Sequence, residues 1–229
     1  ERMVGQLAYI DKFLAWRVAE KVGVEVKSLD LPNQSLPADS NVMDLQSEER
    51  EPNTKISEAL SMQNTIKDTI QGRKIGFIMA NGCTINNIDA LKTKLEEKGA
   101  KVEVIGPSLA PVKSENGTTY FPKHSLTSTR SVCFDALFIC PGENSTKELM
   151  IPENKHLVLN FINEAYMHCK AIYFGAETDD LYKNSNVSLR KHEDPAIIGP
   201  QDKNPEDKFI EAIANHRVWD LELERNAQV

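Results

Sequence analysis

The chain has 229 residues, room for one domain of ordinary size with extensions or for two small ones. Hydrophobic residues make up 40% and charged residues 27%, a globular balance, and no run of ~18 apolar residues offers a membrane span. A net charge of -7 without a basic stripe argues against nucleic acid as a partner, and four cysteines with no CxxC pair or Cys/His cluster argue against a metal site.

Residues 1–26 hold one helix. Asp11 is its N-cap, Leu14, Val18 and Val22 recur every four residues, and Gly23 closes it. Phe13 and Trp16 add apolar surface that a lone helix cannot bury, so the helix is expected to need a partner, to be exposed or rearranged without one, and to drive self-association. The opening Glu1-Arg2-Met3 is neither a signal peptide nor a natural start, so the chain is expected to be a piece of a longer protein. Residues 27–70 read as an extended linker. Pro32, Pro37 and Pro52 interrupt it, and between Ser28 and Leu60 seven acids face two bases, a composition that cannot close a core. A weak helical pattern covers Ile56 to Ile70.

Residues 71–229 alternate short apolar runs with amphipathic stretches. Lys74 to Met79 is a buried strand; Ile88, Leu91 and Leu95 line one face of a helix that stops at Gly99; Lys101 to Ile105 is the second strand. Asn116-Gly117 marks a hairpin turn between Val112 and Tyr120. Ala136 to Cys140 is a strand ending at Pro141-Gly142. His156 to Cys169 is a helix with Leu159, Ile162 and Tyr166 aligned, and Ala171 to Gly175 and Ala196 to Ile198 are strands. Asn204-Pro205-Glu206-Asp207 opens the last helix, through Ile210, Ile213 and His216, with an N-cap, a Pro at the first position and acids in the first turn. Strands alternating with helices predict an α/β fold: a flavodoxin-like, doubly wound parallel sheet preceded by a helical segment and an extended linker.

Ligands in such a sheet sit at the carboxyl ends of the strands. The loop Ala80 to Asn87 carries a single glycine and no GxGxxG or GKS/T pattern, which disfavours a nucleotide or flavin. Cys83 on that loop is a candidate reactive thiol, although no cationic partner is visible nearby. Gly142 permits a tight turn, and Glu143 beside it is a candidate general base or a solvated carboxylate. The elbow where doubly wound hydrolases carry their nucleophile reads Ile172-Tyr173-Phe174-Gly175-Ala176, with neither Ser nor Cys. Tyr173 fills that place, as an acid, a stacking surface or simply a packed ring. Cys169 beside His168 is a second candidate thiol or a buried structural one. The histidines, His124, His156, His168, His192 and His216, are scattered and read as surface positions. Four sequons, at Asn33, Asn116, Asn144 and Asn186, point to a secreted or cell-wall-associated protein, with a cytoplasmic chain as the alternative.

Several stretches carry a family resemblance. Leu7 to Ala19 resembles the end of the helical region of fungal and bacterial large-subunit haem catalases. Gly72 to Phe77, Lys101 to Ile105, Val112 to Thr119 and Asn163-Glu164-Ala165-Tyr166-Met167-His168-Cys169-Lys170-Ala171-Ile172 resemble their C-terminal domain. The resemblance implies a homotetramer that dismutates hydrogen peroxide, with its haem ligands in a core N-terminal to everything here, so no haem, other cofactor or metal is expected in this chain. The C-terminal domain in turn resembles the PfpI superfamily of cysteine hydrolases, deglycases and stress chaperones. That superfamily's nucleophilic cysteine falls at Tyr173 and its partner glutamate near Asn87, so both chemical groups are absent and the expected catalytic set is empty. Three readings follow: a stabilising and holdase-like module serving the catalase core, its sister subunits and unfolding client proteins; a residual thiol enzyme using Cys83 or Cys169; and a small-molecule binding module.

Overall fold

The computed structural model describes residues 2–8, 10–23, 57–61, 64, 68–84, 88–190 and 193–226. The chain divides into two compact units, Glu1–Ser57 and Glu58–Val229. In the first, helix α1 (Arg2–Ala8) pairs with α2 (Lys12–Lys21), and the Asp11 side chain caps α2 by accepting from the Leu14 amide at 2.9 Å. Gly23, at φ +66°, closes it. The buried face differs from the expected one. Val4, Ala15 and Ala19 are buried, with Val18 partly covered, whereas Leu14, Trp16 and Val22 remain 45%, 47% and 61% exposed. Small alanines let the two helices approach closely, so they take the contact in preference to the larger side chains a quarter-turn away. The Phe13 side chain and most of the linker, residues 24–56, lie outside the described residues. Within the weak pattern from Ile56 to Ile70 the described residues include a 3-10 turn, Glu58–Leu60.

The second unit contains, in order, β1 (Lys74–Ile78), α3 (Ile88–Glu97), β2 (Lys101–Gly106), β3 (Val112–Lys113), β4 (Thr119–Tyr120), β5 (His124–Ser125), β6 (Ala136–Ile139), α4 (Glu143–Leu149), α5 (Pro152–Met167), β7 (Ala171–Phe174), α6 (Asp179–Asn184), β8 (Ile197–Ile198), α7 (Pro205–Asn215) and α8 (Glu222–Asn226). Six strands form one sheet in the order β5-β2-β1-β6-β7-β8, and every adjacent pair is parallel. Leaving aside the β5 edge, the order is the doubly wound 2-1-3-4-5, with its switch point between β1 and β6. The strands β6 and β7 are buried along their whole length, as a sheet covered on both faces requires. Alternation along each strand sends Ile75, Phe77, Ala136, Phe138, Ala171 and Tyr173 toward α3 and α7. It sends Ile78, Leu137, Ile139, Ile172 and Phe174 toward α5. The hairpin forms as its turn signal implies: Val112 faces Tyr120 and Gly117 sits at φ +89°.

Two helix starts differ from the sequence reading. The helix α5 begins four residues earlier, with Pro152 at its first turn, and buries Val158, Phe161, Ile162, Ala165 and Tyr166. Asn204 precedes α7 in the left-handed region, at φ +53°, and its side chain makes no capping bond. Capping needs an extended N-cap backbone; here the first turn is held instead by Lys94, which bonds Asp207 at 2.7 Å and Glu206 at 3.4 Å.

Two buried carboxylates, Asp194 and Glu103, are paired with basic groups. Arg225 of α8 and Asp194 are both almost fully buried and meet at 2.6–2.9 Å through Nε and Nη2. Arg225 also donates to the Tyr166 and Lys170 carbonyls at 3.1 and 3.3 Å and lies over the Tyr166 ring at 4.7 Å. On β2, buried Glu103 accepts from Lys123, is 2.8 Å from His124 Nε2 and 3.2 Å from Lys74 Nζ. Burial alone raises this carboxyl, but the bonds from Lys123, His124 and Lys74 outweigh it and bring it down to about 2. A folded value below the unfolded one (~4.3) contributes stability above the unfolded value, lost as pH falls toward 2. Glu103→Gln is expected to cost about 2 kcal/mol at neutral pH, allowing for solvent screening by the exposed lysines, and to flatten the acid limb of stability. Urea midpoints at neutral pH and at pH about 3 measure both effects.

Candidate functional site

The crevice expected at the switch point lies among the loops that follow β1, β6 and β7. Those loops are bonded to one another. The Thr84 amide donates to the Pro141 carbonyl at 2.9 Å, Gly142 to the Ala176 carbonyl at 3.3 Å, Gly175 to the Ile139 carbonyl at 2.9 Å, and Gly82 to the Lys113 carbonyl at 2.7 Å. The Ala80 amide donates to buried Ser145 Oγ at 2.9 Å, and Asn81 links Glu148 to the Lys113 amide. Gly142, at φ +130°, does more than permit a turn. A Cβ there would lie 2.6 Å from the Gly82 oxygen and 2.9 Å from the Cys83 Cα. One on Gly175 would lie 2.8 Å from both the Ile139 oxygen and the Pro141 nitrogen. Backbone packs on backbone where a ligand would enter.

Tyr173 lies within β7, 4% exposed, and its ring packs 4.9 Å from Phe138 and 5.6 Å from Phe209. With Phe77, 4.9 Å from Phe138, these rings form a row that follows the strand register across three strands to α7. Burial, then Glu206 and Asp202, raises the Tyr173 phenol above its ordinary value. No strained elbow holds it: the left-handed residue after β7 is Glu177, at φ +64°. Asn87 lies outside the described residues.

The candidate thiols Cys83 and Cys169 are placed against reactivity. Cys83 is buried, and burial, reinforced by Glu115 and Asp89, pushes it up to about 11 despite a backbone hydrogen bond. Cys140, also buried, is raised by burial and by Cys83. Cys169 follows α5 at φ +57° and is 1% exposed; burial raises it too. His168, adjacent in sequence, is exposed, so the structure does not bring this pair together. A thiol held above its ordinary value is a poor nucleophile near neutral pH. Glu143 is exposed and bonded to Lys147 at 2.6 Å. Two histidines depart from the surface reading. His216 is buried beside Asp135 at 3.2 Å, and His124 is partly buried beside Glu103, because each completes a cluster around a carboxylate. His192 lies outside the described residues.

Other features went unread in the sequence. Lys170 is buried, donates to the Ser131 carbonyl at 2.5 Å, and is pulled down to about 8 by burial and by Arg217. Two cavities flank β8. One of about 580 Å³ runs between β8 and α7, and one of about 260 Å³ opens at the carboxyl ends of β7 and β8; both are lined by Arg190, Ile197, Ile198 and Asp202. The Ile197-Ile198-Gly199-Pro200 run, a strand end followed by a turn, is the only signal that pointed there. Among the described residues, no group of three or more His, Cys, Asp or Glu is placed to hold a metal ion.

The architecture is that of a flavodoxin-like α/β domain. The family described as the C-terminal domain found in long catalases matches residues 71–221, and the chain belongs to it. It is 31% identical over 229 residues to Catalase HPII of Pseudomonas aeruginosa, covering 99% of this chain and 29% of that protein. It is 30% identical over 248 residues to Catalase-1 of Neurospora crassa, covering 97% and 31%. The chain thus spans less than a third of the length of these relatives. Among solved structures it is similar to a two-domain protein containing DJ-1/ThiJ/PfpI-like and ferritin-like domains from Anabaena variabilis, with TM-score 0.46, 17% identity, and coverage of 50% of this chain and 34% of that one. A ThiJ/PfpI domain protein from Brachyspira murdochii matches with TM-score 0.43, 15% identity, and coverage of 51% and 66%.

Proposed function

We propose that this chain is a non-catalytic domain of a hydrogen-peroxide-dismutating haem catalase, where it stabilises the core and sister subunits of a homotetramer and holds unfolding client chains. The observation that carries this reading is the closed switch point: Gly142 and Gly175 bring backbones together where a substrate would sit, and Tyr173 is spent in an aromatic row. The raised thiols of Cys83 and Cys169 weigh against a residual thiol enzyme. Haem belongs to the parent's core. The buried tyrosines here do not fit it, since Tyr166 lies under Arg225 and Tyr173 lies between Phe138 and Phe209. Exposed Leu109, Phe121, Val132, Leu189 and Leu223 supply apolar surface for clients. Of the sequons that suggest secretion or the cell wall, Asn116 is the one on an exposed hairpin tip; Asn144 lies in α4 with Ser145 and Thr146 buried.

The test cuts the parent catalase before Gly72. Turnover is expected to persist while activity is lost at a lower temperature than in the intact enzyme. The 229-residue chain is expected to suppress light scattering from a heat-labile client at near-stoichiometric amounts. Unchanged heat tolerance overturns the stabilising role, and undiminished scattering overturns the holdase role.

A further inference from the structure

Asparagine followed by glycine occurs twice in the chain, at Asn81-Gly82 and at Asn116-Gly117. Such a pair can react with itself: the glycine nitrogen attacks the asparagine carboxamide carbon, and no Cβ on the glycine blocks the approach. The structure puts the two pairs in opposite situations. Asn81 is held at both ends of its side chain: Nδ2 donates to Glu148 Oε1 at 3.1 Å, and Oδ1 accepts from the Lys113 amide at 2.9 Å. Its backbone amide donates to Glu148 Oε2 at 3.0 Å, and the Gly82 amide donates to the Lys113 carbonyl at 2.7 Å. The Asn144 Cβ lies only 2.5 Å from where a Gly82 Cβ would stand. Neither reacting group can turn toward the other without breaking this set. Asn116 and Gly117 are exposed at the tip of the β3–β4 hairpin, with nothing within 4 Å of a Cβ placed on Gly117. The Asn116 Oδ1 accepts from the Thr118 amide, two residues on, at 3.2 Å, which folds the carboxamide carbon back toward the Gly117 nitrogen. Ser114 Oγ donates to the same oxygen at 2.8 Å. These two donors polarise the carbonyl and stand where the oxyanion of a tetrahedral intermediate forms. The Gly117 amide donates to the Ser114 carbonyl at 3.1 Å, in an exposed turn where water can take its place.

We propose that Asn116 is a site of self-modification, deamidated in the folded protein to aspartate and isoaspartate. The Gly117 nitrogen loses its proton to solvent and bonds to Asn116 Cγ. The Cγ–Nδ2 bond then breaks, and Nδ2 takes up a proton from solvent and leaves as ammonia. The five-membered succinimide that results is opened by one water molecule. Water entering at Cγ restores the backbone as aspartate; water entering at the backbone carbonyl carbon leaves the chain running through the side chain, as isoaspartate. One water enters, one ammonia departs, and nothing is oxidised or reduced. Either product adds a negative charge beside exposed Glu115 and removes the Asn-Gly-Thr sequon, so conversion and a glycan on Asn116 exclude one another. Isoaspartate also adds a methylene to the backbone between β3 and β4, which disturbs the pairing of Val112 with Tyr120 and of Lys113 with Thr119. That hairpin is bonded to the switch-point loop, Glu115 to Cys83 and Gly82 to Lys113, so the change is felt there as well.

The test incubates the 229-residue chain, made without glycans, at mildly alkaline pH and follows its tryptic peptides by mass. The peptide from Ser114 to Lys123 contains no other amide side chain, so a gain of one mass unit there, resolved into two isomers, reports conversion of Asn116. Conversion at Asn81, located by fragmentation, is expected to be slower by roughly tenfold or more, because its additional bonds must open before the ring can close. In guanidinium the gap should close, since both pairs are then equally free. The rate at Asn116 should rise with pH, as loss of the Gly117 proton requires. Asn116→Gln, whose longer side chain must close a six-membered ring, should leave the peptide unchanged over the same interval. An Asn116 peptide that stays unconverted in the folded chain, an equal rate at Asn81, or a gap that persists in guanidinium overturns the assignment.

Discussion

Arg225→Ala is expected to lower the stability of the second unit by about 3–5 kcal/mol, the cost of leaving one member of a buried ion pair uncompensated. At ~2–4 °C per kcal/mol for a domain of this size, Tm falls by roughly 6–20 °C. The size of the effect follows from how many partners one side chain serves. Its guanidinium meets Asp194 through Nε and Nη2, caps the Tyr166 and Lys170 carbonyls through Nη1, and covers the Tyr166 ring. Those carbonyls belong to the last turn of α5 and the approach to β7, so removal unsatisfies buried backbone as well as Asp194. Asp194→Ala should cost a similar amount. The double replacement Arg225→Leu with Asp194→Leu should recover part of the loss, because an apolar pair carries no desolvation penalty. Thermal melts of the wild type, Arg225→Ala, Asp194→Ala and the variant carrying both alanines close the cycle; additive losses would mean that the two residues act separately.

Tyr173 separates a chemical role from a packing role. Tyr173→Phe is expected to change stability by no more than about 1 kcal/mol, since the ring contacts survive and one hydroxyl is lost. Tyr173→Ala is expected to cost about 3–5 kcal/mol, by opening a cavity between Phe138 and Phe209. Tyr173→Cys restores the residue type that the PfpI resemblance places there. It should nevertheless react with iodoacetamide more slowly than a free model thiol, because the position is buried within a regular strand and burial would raise a thiol there as it does Cys83 and Cys140. Fast, selective labelling of Tyr173→Cys would show that the pocket still activates a nucleophile, and would reopen the enzymatic reading.

Where the sequence spoke clearly, it did so through periodicity and turn chemistry. The Ile88, Leu91 and Leu95 spacing, the Asn116-Gly117 turn and the apolar runs at Ile75, Ala136 and Ala171 each have one physical solution, and the structure adopts it. Features that depend on a distant partner were hidden. An arginine near the end of a polar helix, such as Arg225, reads as solvated until Asp194 is brought beneath it. His124-Ser125 is too short and too polar to announce the edge strand β5, and it exists because Glu103 and β2 receive it. The alanine face of α2 was masked by larger apolar neighbours. The cavities beside β8 arise from gaps at a sheet edge, and no local pattern encodes a gap.

Both margins of the sheet are two residues long, β5 on one side and β8 on the other. A long free margin offers a row of unpaired amides and carbonyls on which a second chain can grow a strand. Margins this short give such a chain almost nothing to register against. The domain can therefore display Phe121, Val132 and Leu223 to water without also presenting the backbone template that turns sticky side chains into ordered aggregates. Contacts made through that surface would be side-chain contacts, broad in choice of partner and readily reversed.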